Sequence, residues 1–174
     1  LMKKNINSFE KIIGIKFNNQ NLLLQSLTHK SNNSSNNNEK LEFLGDRVLG
    51  LVISKNLYKL FPKDKEGDLD KKLASLVNRK RCVEISNYLS VKDYVLVGDN
   101  KDNSKIENKI LADTVESIVG ALYLDQGLEV TEKFILNYWK RFLNEKLTIY
   151  RDPKTMLQEY SLKLHKTLPI YPME

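Results

Sequence analysis

Five carboxylates fall in two short runs whose spacing sets them on shared helical faces: Glu39, Glu42 and Asp46 in EKLEFLGDRVL, and Asp113 and Glu116 in ILADTVESIVG. At 100° per residue, the first three lie within about 60° of one another, while Leu41, Leu44, Val48 and Val52 gather on the opposite side. Asp113 and Glu116 are neighbours on a helix by their i, i+3 spacing, with Leu111, Val115, Ile118 and Leu122 facing away. Acids on the polar side of an amphipathic helix ordinarily just face water, and near a helix start they also suit the dipole. That account is insufficient here, because the first helix is apolar nearly all round from Val48 onward, as is the second around Val119. Gly50 follows Asp46 by one turn and Gly120 follows Glu116 by one turn, on the same stripes. Two helices packed closely at those glycines would bring Glu42, Asp46, Asp113 and Glu116 together at one end.

Four carboxylates that close repel one another and stay partly protonated unless a cation sits between them. Oxygen ligands with no histidine or cysteine among them suit Mg²⁺, or Mn²⁺ in its place, rather than zinc. A bound Mg²⁺ activates water and stabilises charge building on a phosphoryl oxygen. Spacing and composition therefore point to a helical, magnesium-dependent phosphoesterase, and they do not choose RNA.

The elements that must position these acids are helices. SFEKIIGIKF places Phe9, Ile12, Ile13 and Phe17 at helical spacing, and NQNLLLQSLTH repeats the pattern, so residues 8–28 predict two short helices with those residues in the core. SNNSSNNN from Ser31 to Asn38 reads as an exposed loop. Glu39 to Phe61 is a central helix of about six turns, stopped by Pro62. Leu69 to Leu89 gives one or two basic helices carrying Lys71, Lys72, Arg79, Lys80 and Arg81, and DYVLVG, without a partner strand, reads as an irregular apolar link. Ile110 to Leu124 is a second apolar helix ending near Gly127, and Val130 to Leu147 an amphipathic third. The class is all-α.

The 174 residues suffice for one domain with a real core and the start of another. Hydrophobic residues at 41% and charged residues at 29% are the balance of an ordinary soluble domain. No apolar run approaches a membrane span, and LMKKNINSFEKIIG lacks the apolar core of a signal peptide, so a cytoplasmic location is expected, with no membrane partner. A charge of +6 favours a polyanionic partner. Cys82 is the only cysteine, which excludes an internal disulfide and leaves a packed helical thiol.

EKLEFLGDRVL resembles the signature of ribonuclease III. Its surroundings agree in order and approximate spacing: THKS upstream, FPKDKEGDL downstream, then ILADTVESIVGALYLDQG and DPKTMLQEY. The resemblance spans Phe9 to Tyr171 and implies an all-helical endonuclease domain over 1–148, paired in a homodimer, with one cleavage site per subunit. It implies an endoribonuclease cutting double-stranded RNA by metal-activated water to 5′-phosphate and 3′-hydroxyl ends, in processing of ribosomal and other RNA precursors, with no organic cofactor and no covalent intermediate. By the same resemblance Glu42, Asp46, Asp113 and Glu116 are metal ligands, and Asp46 and Glu116 are catalytic. Glu39 and Glu66 are supporting acids, and Phe43 is the aromatic side chain that plugs into the partner subunit. His29 and His165 need no nucleophilic role. Lys40 stands where an arginine is common and Arg47 where small residues are frequent, neither expected to touch the metal ligands, and DNKDNSKIENK lacks the family's glycine-rich look.

Asp152 caps and Pro153 opens a helix expected to reach about His165. Thr155 and Gln158 lie on its polar side, Leu157, Tyr160 and Leu164 on the other. This resembles the first helix of an α+β double-stranded RNA-binding domain, so residues 149–174 are expected to be a linker and the truncated beginning of that module, a helix plus a partial strand near Ile170, with Thr155 and Gln158 contacting RNA. Two rivals are a non-catalytic RNA-binding relative, which the four filled acidic positions oppose, and a helical Mg²⁺-dependent nucleotide phosphohydrolase, which the ordered motifs oppose.

Overall fold

The structure, a computed structural model, describes residues 6–98 and 106–144 together with 161, 162 and 166. Within these residues six α-helices follow one another: α1 (Ile6–Ile13), α2 (Gln20–Ser26), α3 (Glu39–Leu60), α4 (Glu66–Leu76), α5 (Arg79–Tyr88) and α6 (Asn108–Asn144). A single 3-10 turn, Val91–Asp93, lies between α5 and α6. No helix of the described residues is long and apolar enough to cross a membrane.

The expected basic segment after Pro62 divides into α4 and α5, split where Asn78 turns extended and caps α5 by accepting from the Arg81 amide. The two apolar helices expected after residue 108 form one run, α6, broken at Gly127, whose φ of 78° and ψ of −177° are not helical. A glycine takes that conformation at little cost. Asp125, just before the break, accepts from the backbone N–H groups of Asn18 and Asn19 at 2.8 Å each, which fastens the start of α2 to the middle of α6. The DYVLVG stretch is the irregular apolar link expected, with one addition: Leu96 makes a lone parallel bridge to Thr28.

The core runs along α3, α5 and α6, with Trp139, Phe142, Leu49, Ile53, Ile85 and Ile118 fully buried. Trp139 Nε1 donates to the Leu76 carbonyl at 3.0 Å, so the largest core side chain also satisfies its one donor while tying α6 to α4. Phe9, Ile13 and Phe17 are buried as expected, but Ile12 is 39% exposed, because the buried face of α1 is that of Phe9, Glu10 and Ile13 and Ile12 lies off it. Lys72, one of the lysines of the expected basic helices, is buried, ion-paired with Asp64 and 3.6 Å from the Phe61 ring centroid. A buried ammonium needs such partners, and these hold the turn between α3 and α4.

The closest approach of α3 and α6 is backbone to backbone. A Cβ on Gly45 would lie 1.7 Å from the Glu116 carbonyl oxygen, and one on Gly120 2.2 Å from that of Leu41. The contact glycines are therefore Gly45 and Gly120. Gly50, expected in that role, has nothing within 4 Å, because the face of α3 that meets α6 is the stripe of Leu41, Gly45, Val48 and Val52, all buried.

Gly45→Ala and Gly120→Ala should each lower unfolding stability by about 3 kcal/mol or more, the upper end of overpacking costs. Gly67→Ala, where a Cβ meets nothing within 4 Å, should change it by less than about 1 kcal/mol. Urea melts followed by circular dichroism measure this, and equal melts for all three variants would contradict the close contact.

A candidate metal centre between two helices

The acids come from the N-terminal parts of both helices. Glu39 and Glu42 occupy the first turn of α3, where the helix dipole favours negative charge. Asp113 and Glu116 sit in the second and third turns of α6. Contacts advance along the two helices in the same sense, Glu42 near Asp113, Gly45 against Glu116 and Lys55 bonded to Glu132 at 2.8 Å, so both acidic ends meet at one place.

Glu42, Asp113 and Glu116 each offer a carboxylate oxygen, and these three atoms lie within 4.8 Å of one another, all half-buried. An octahedral Mg²⁺ with bonds of 2.0–2.1 Å holds its ligand oxygens about 3 to 4.2 Å apart. Small side-chain rotations would therefore close the three onto one ion, and an all-oxygen set of this kind suits a hard cation. The acids line a cavity of about 320 Å³ whose rim carries Lys30, Arg47 and Lys109.

Asp46 stands apart from the trio. Its Oδ2 accepts from Arg47 Nη1, so Arg47 does touch one of the expected ligands, contrary to the sequence reading. Asp46 nevertheless lines the same cavity and is the acid whose charge acts most strongly on Glu116. Burial, then the charges of Asp46, Glu42 and Asp113, push the Glu116 carboxyl up to about 7. Burial and the Asp113 charge also push Glu42 upward. Acids held this way resist ionisation until a cation joins them.

Glu39 is exposed at the rim and bonded to Lys30 Nζ at 2.8 Å, which holds its carboxyl below the usual range. Glu66 is not brought to the cluster: it opens α4 and lines a separate groove with Leu51, Tyr58, Leu69 and Leu73. Phe43 lies at the mouth of the acidic cavity, 67% exposed, with the Arg47 guanidinium carbon 5.3 Å from its ring centroid. Thr155 and Gln158 lie outside the described residues, as do 99–105 of the polar loop. Nearby, Ser161 and Leu162 are helical, and the Lys166 amide donates to the Leu162 carbonyl.

Two neighbours of the acids escaped the sequence reading. Lys109 Nζ is 3.0 Å from Asp113 Oδ2, a pairing that its i, i+4 spacing does signal. Cys82, fully buried on α5, places Sγ 3.7 Å from Glu116 Oε1, and nothing in the spacing of the two residues announces that.

Three converging carboxylates, a fourth lining the same cavity and cations around its mouth are a set that suits metal-assisted phosphodiester chemistry. The family described as Ribonuclease-III-like matches residues 19–142. Ribonuclease 3 of Pelagibacter ubique is 53% identical over 171 residues, covering 98% of this chain and 77% of the relative. Ribonuclease 3 of Shewanella piezotolerans is 44% identical, covering 97% and 76%. Among solved structures, the nuclease domain of ribonuclease III from Campylobacter jejuni superposes with a TM-score of 0.76 at 42% identity, covering 79% of this chain and 97% of that one. This chain belongs to the ribonuclease III family and is an endoribonuclease of double-stranded RNA.

The raised Glu116 carboxyl gives a pH signature in protein freed of divalent ions. The unfolded chain ionises near 4.5 and the folded one near 7, so stability falls as pH rises through that window. Glu116→Gln, which removes the charge, should stabilise the ion-free protein at pH 8 by on the order of 1–2 kcal/mol, discounted for partial exposure. The gain should shrink toward pH 5. Thermal melts across this range measure it, and a gain independent of pH would contradict the electrostatic picture.

Proposed function

We propose that Glu42, Asp46, Asp113 and Glu116 hold Mg²⁺, or Mn²⁺ in its place, and that the chain uses this centre to cut double-stranded RNA to 5′-phosphate and 3′-hydroxyl ends. The observation that carries the reading is the convergence of Glu42, Asp113 and Glu116 within 4.8 Å on two helices locked by glycine contact. When bound, the ion supplies activation of water and stabilisation of the charge that builds on the scissile phosphate.

The chain's own groups do the rest. Glu116 and Asp46 are the catalytic carboxylates; Glu116, with its carboxyl raised to about 7, would be held in its ionised form by a bound cation and would balance its charge. Lys109 neutralises Asp113, and Lys30 neutralises Glu39, which leaves the mouth less repulsive to a phosphate backbone than bare carboxylates would be. Glu39 supports the site from its rim. Glu66 supports it only through pairing of two subunits, since within one chain it lines another groove.

That groove and the outer face of α3 support the homodimer. Phe43, Leu51 and Tyr58 are 67%, 56% and 75% exposed, and the apolar groove between α3 and α4 encloses about 580 Å³, room for an aromatic side chain from a second copy. Phe43 is the side chain assigned to that contact. Residues 1–148 form the nuclease domain, and 149–174 the linker and start of a double-stranded RNA-binding module in which Thr155 and Gln158 touch the duplex. The location is cytoplasmic.

Glu116→Gln should abolish cleavage of a long RNA duplex in Mg²⁺ while duplex binding in Ca²⁺ survives. Single-stranded RNA and a nucleoside triphosphate should remain intact with the unaltered chain. Gel analysis of the three substrates decides: undiminished cutting by the variant removes the proposed centre, and triphosphate hydrolysis would favour a nucleotide phosphohydrolase. For the pairing, Phe43→Ala should shift sedimentation from dimer toward monomer; an unaltered dimer would take Phe43 out of the interface.

A further inference from the structure

Cys82 is the fourth residue of α5 and is fully buried among the core side chains, a position where any apolar residue of similar size would satisfy packing. Yet its Sγ lies 3.7 Å from Glu116 Oε1. The charges that act most strongly on the Glu116 carboxylate are those of the acids Asp46, Glu42 and Asp113, all of which repel it. The thiol is the exception: it is a donor.

We propose that Cys82 is a positioning residue for the metal centre: its S–H donates to the Glu116 carboxylate and fixes that side chain for a divalent cation. The inference rests on the reading of the acidic cluster as a metal site.

The chemistry follows from what a ligand needs. A carboxylate that binds a metal is usually hydrogen-bonded in turn, which sets its rotamer before the ion arrives. A carboxylate has two oxygens, so one can engage the thiol while the other serves the ion. An ordinary thiol is protonated at neutral pH, and this one is fully buried, so it serves as a neutral donor. Neutrality distinguishes it from Lys109, whose ammonium on Asp113 occupies ground that a cation would contest. Cys82 orients Glu116 without repelling the ion. Its complete burial also shields it from oxidants and from water that would compete for the hydrogen bond.

Packing and donation make opposite predictions for two substitutions. Cys82→Val keeps the volume filled and removes the donor, whereas Cys82→Ser keeps an O–H donor and packs less well. The probe is Mn²⁺ titrated into the full chain without RNA, followed by calorimetry, with thermal melts of each variant in parallel. Cys82→Val should weaken Mn²⁺ binding about tenfold, the low end of the effect of losing an outer-shell partner, and Cys82→Ser should stay within about twofold of the unaltered chain. Cys82→Ala, smaller and equally without a donor, should follow valine. Valine binding Mn²⁺ as tightly as cysteine would overturn the proposal, as would serine and valine weakening together in step with their melting points. An unaltered chain that binds no Mn²⁺ would instead remove the metal reading beneath it.

Discussion

Where α3 and α6 meet, two glycines stand in place of side chains, and the backbones touch. Gly45 leaves no room for a Cβ beside the Glu116 carbonyl, nor Gly120 beside that of Leu41. This approach sets the separation of the helices near their N-terminal ends. Everything that projects from the flanks of the contact is thereby brought within reach: Glu42 from one helix, Asp113 and Glu116 from the other. Larger residues at either glycine would spread the helices and with them the acids, so the packing and the chemistry share one constraint.

Electrostatics then set the terms. Partial burial and neighbouring carboxylates raise the resistance of Glu42 and Glu116 to ionisation, most of all at Glu116. Folding the chain without a cation thus carries a cost concentrated at the centre, and a divalent ion removes it. The lysines at the rim moderate the same repulsion from outside, and the neutral thiol of Cys82 does so from within. Stability is low where the site is, as it is wherever like charges are gathered for chemistry.

Much of this was legible in the residues. The apolar period of EKLEFLGDRVLGLVISKNLYKL and of ILADTVESIVGALYL gives the two central helices, and the i, i+3 and i, i+4 spacing of the acids gives their shared faces. The choice of glycine was not legible, because it depends on which stripe of α3 turns toward its neighbour. Helical periodicity puts Gly50 under Asp46 and Gly45 among Leu41, Val48 and Val52, and only the crossing of the helices selects the second. The acids consequently flank the buried stripe rather than oppose it. Arg47 on Asp46 and Cys82 on Glu116 were equally out of reach, the first a rotamer and the second a contact between helices 34 residues apart in the chain. Lys72 is a related case: its burial depends on Asp64 and Phe61 folding back over it at the end of α3.

The central claim is that a divalent cation sits among these carboxylates. Anomalous diffraction from crystals of the chain soaked in Mn²⁺ tests it most directly. The account predicts a manganese peak about 2 Å from carboxylate oxygens of Glu42, Asp113 and Glu116. An empty cluster in fully soaked crystals, or manganese held only elsewhere on the surface, would contradict it.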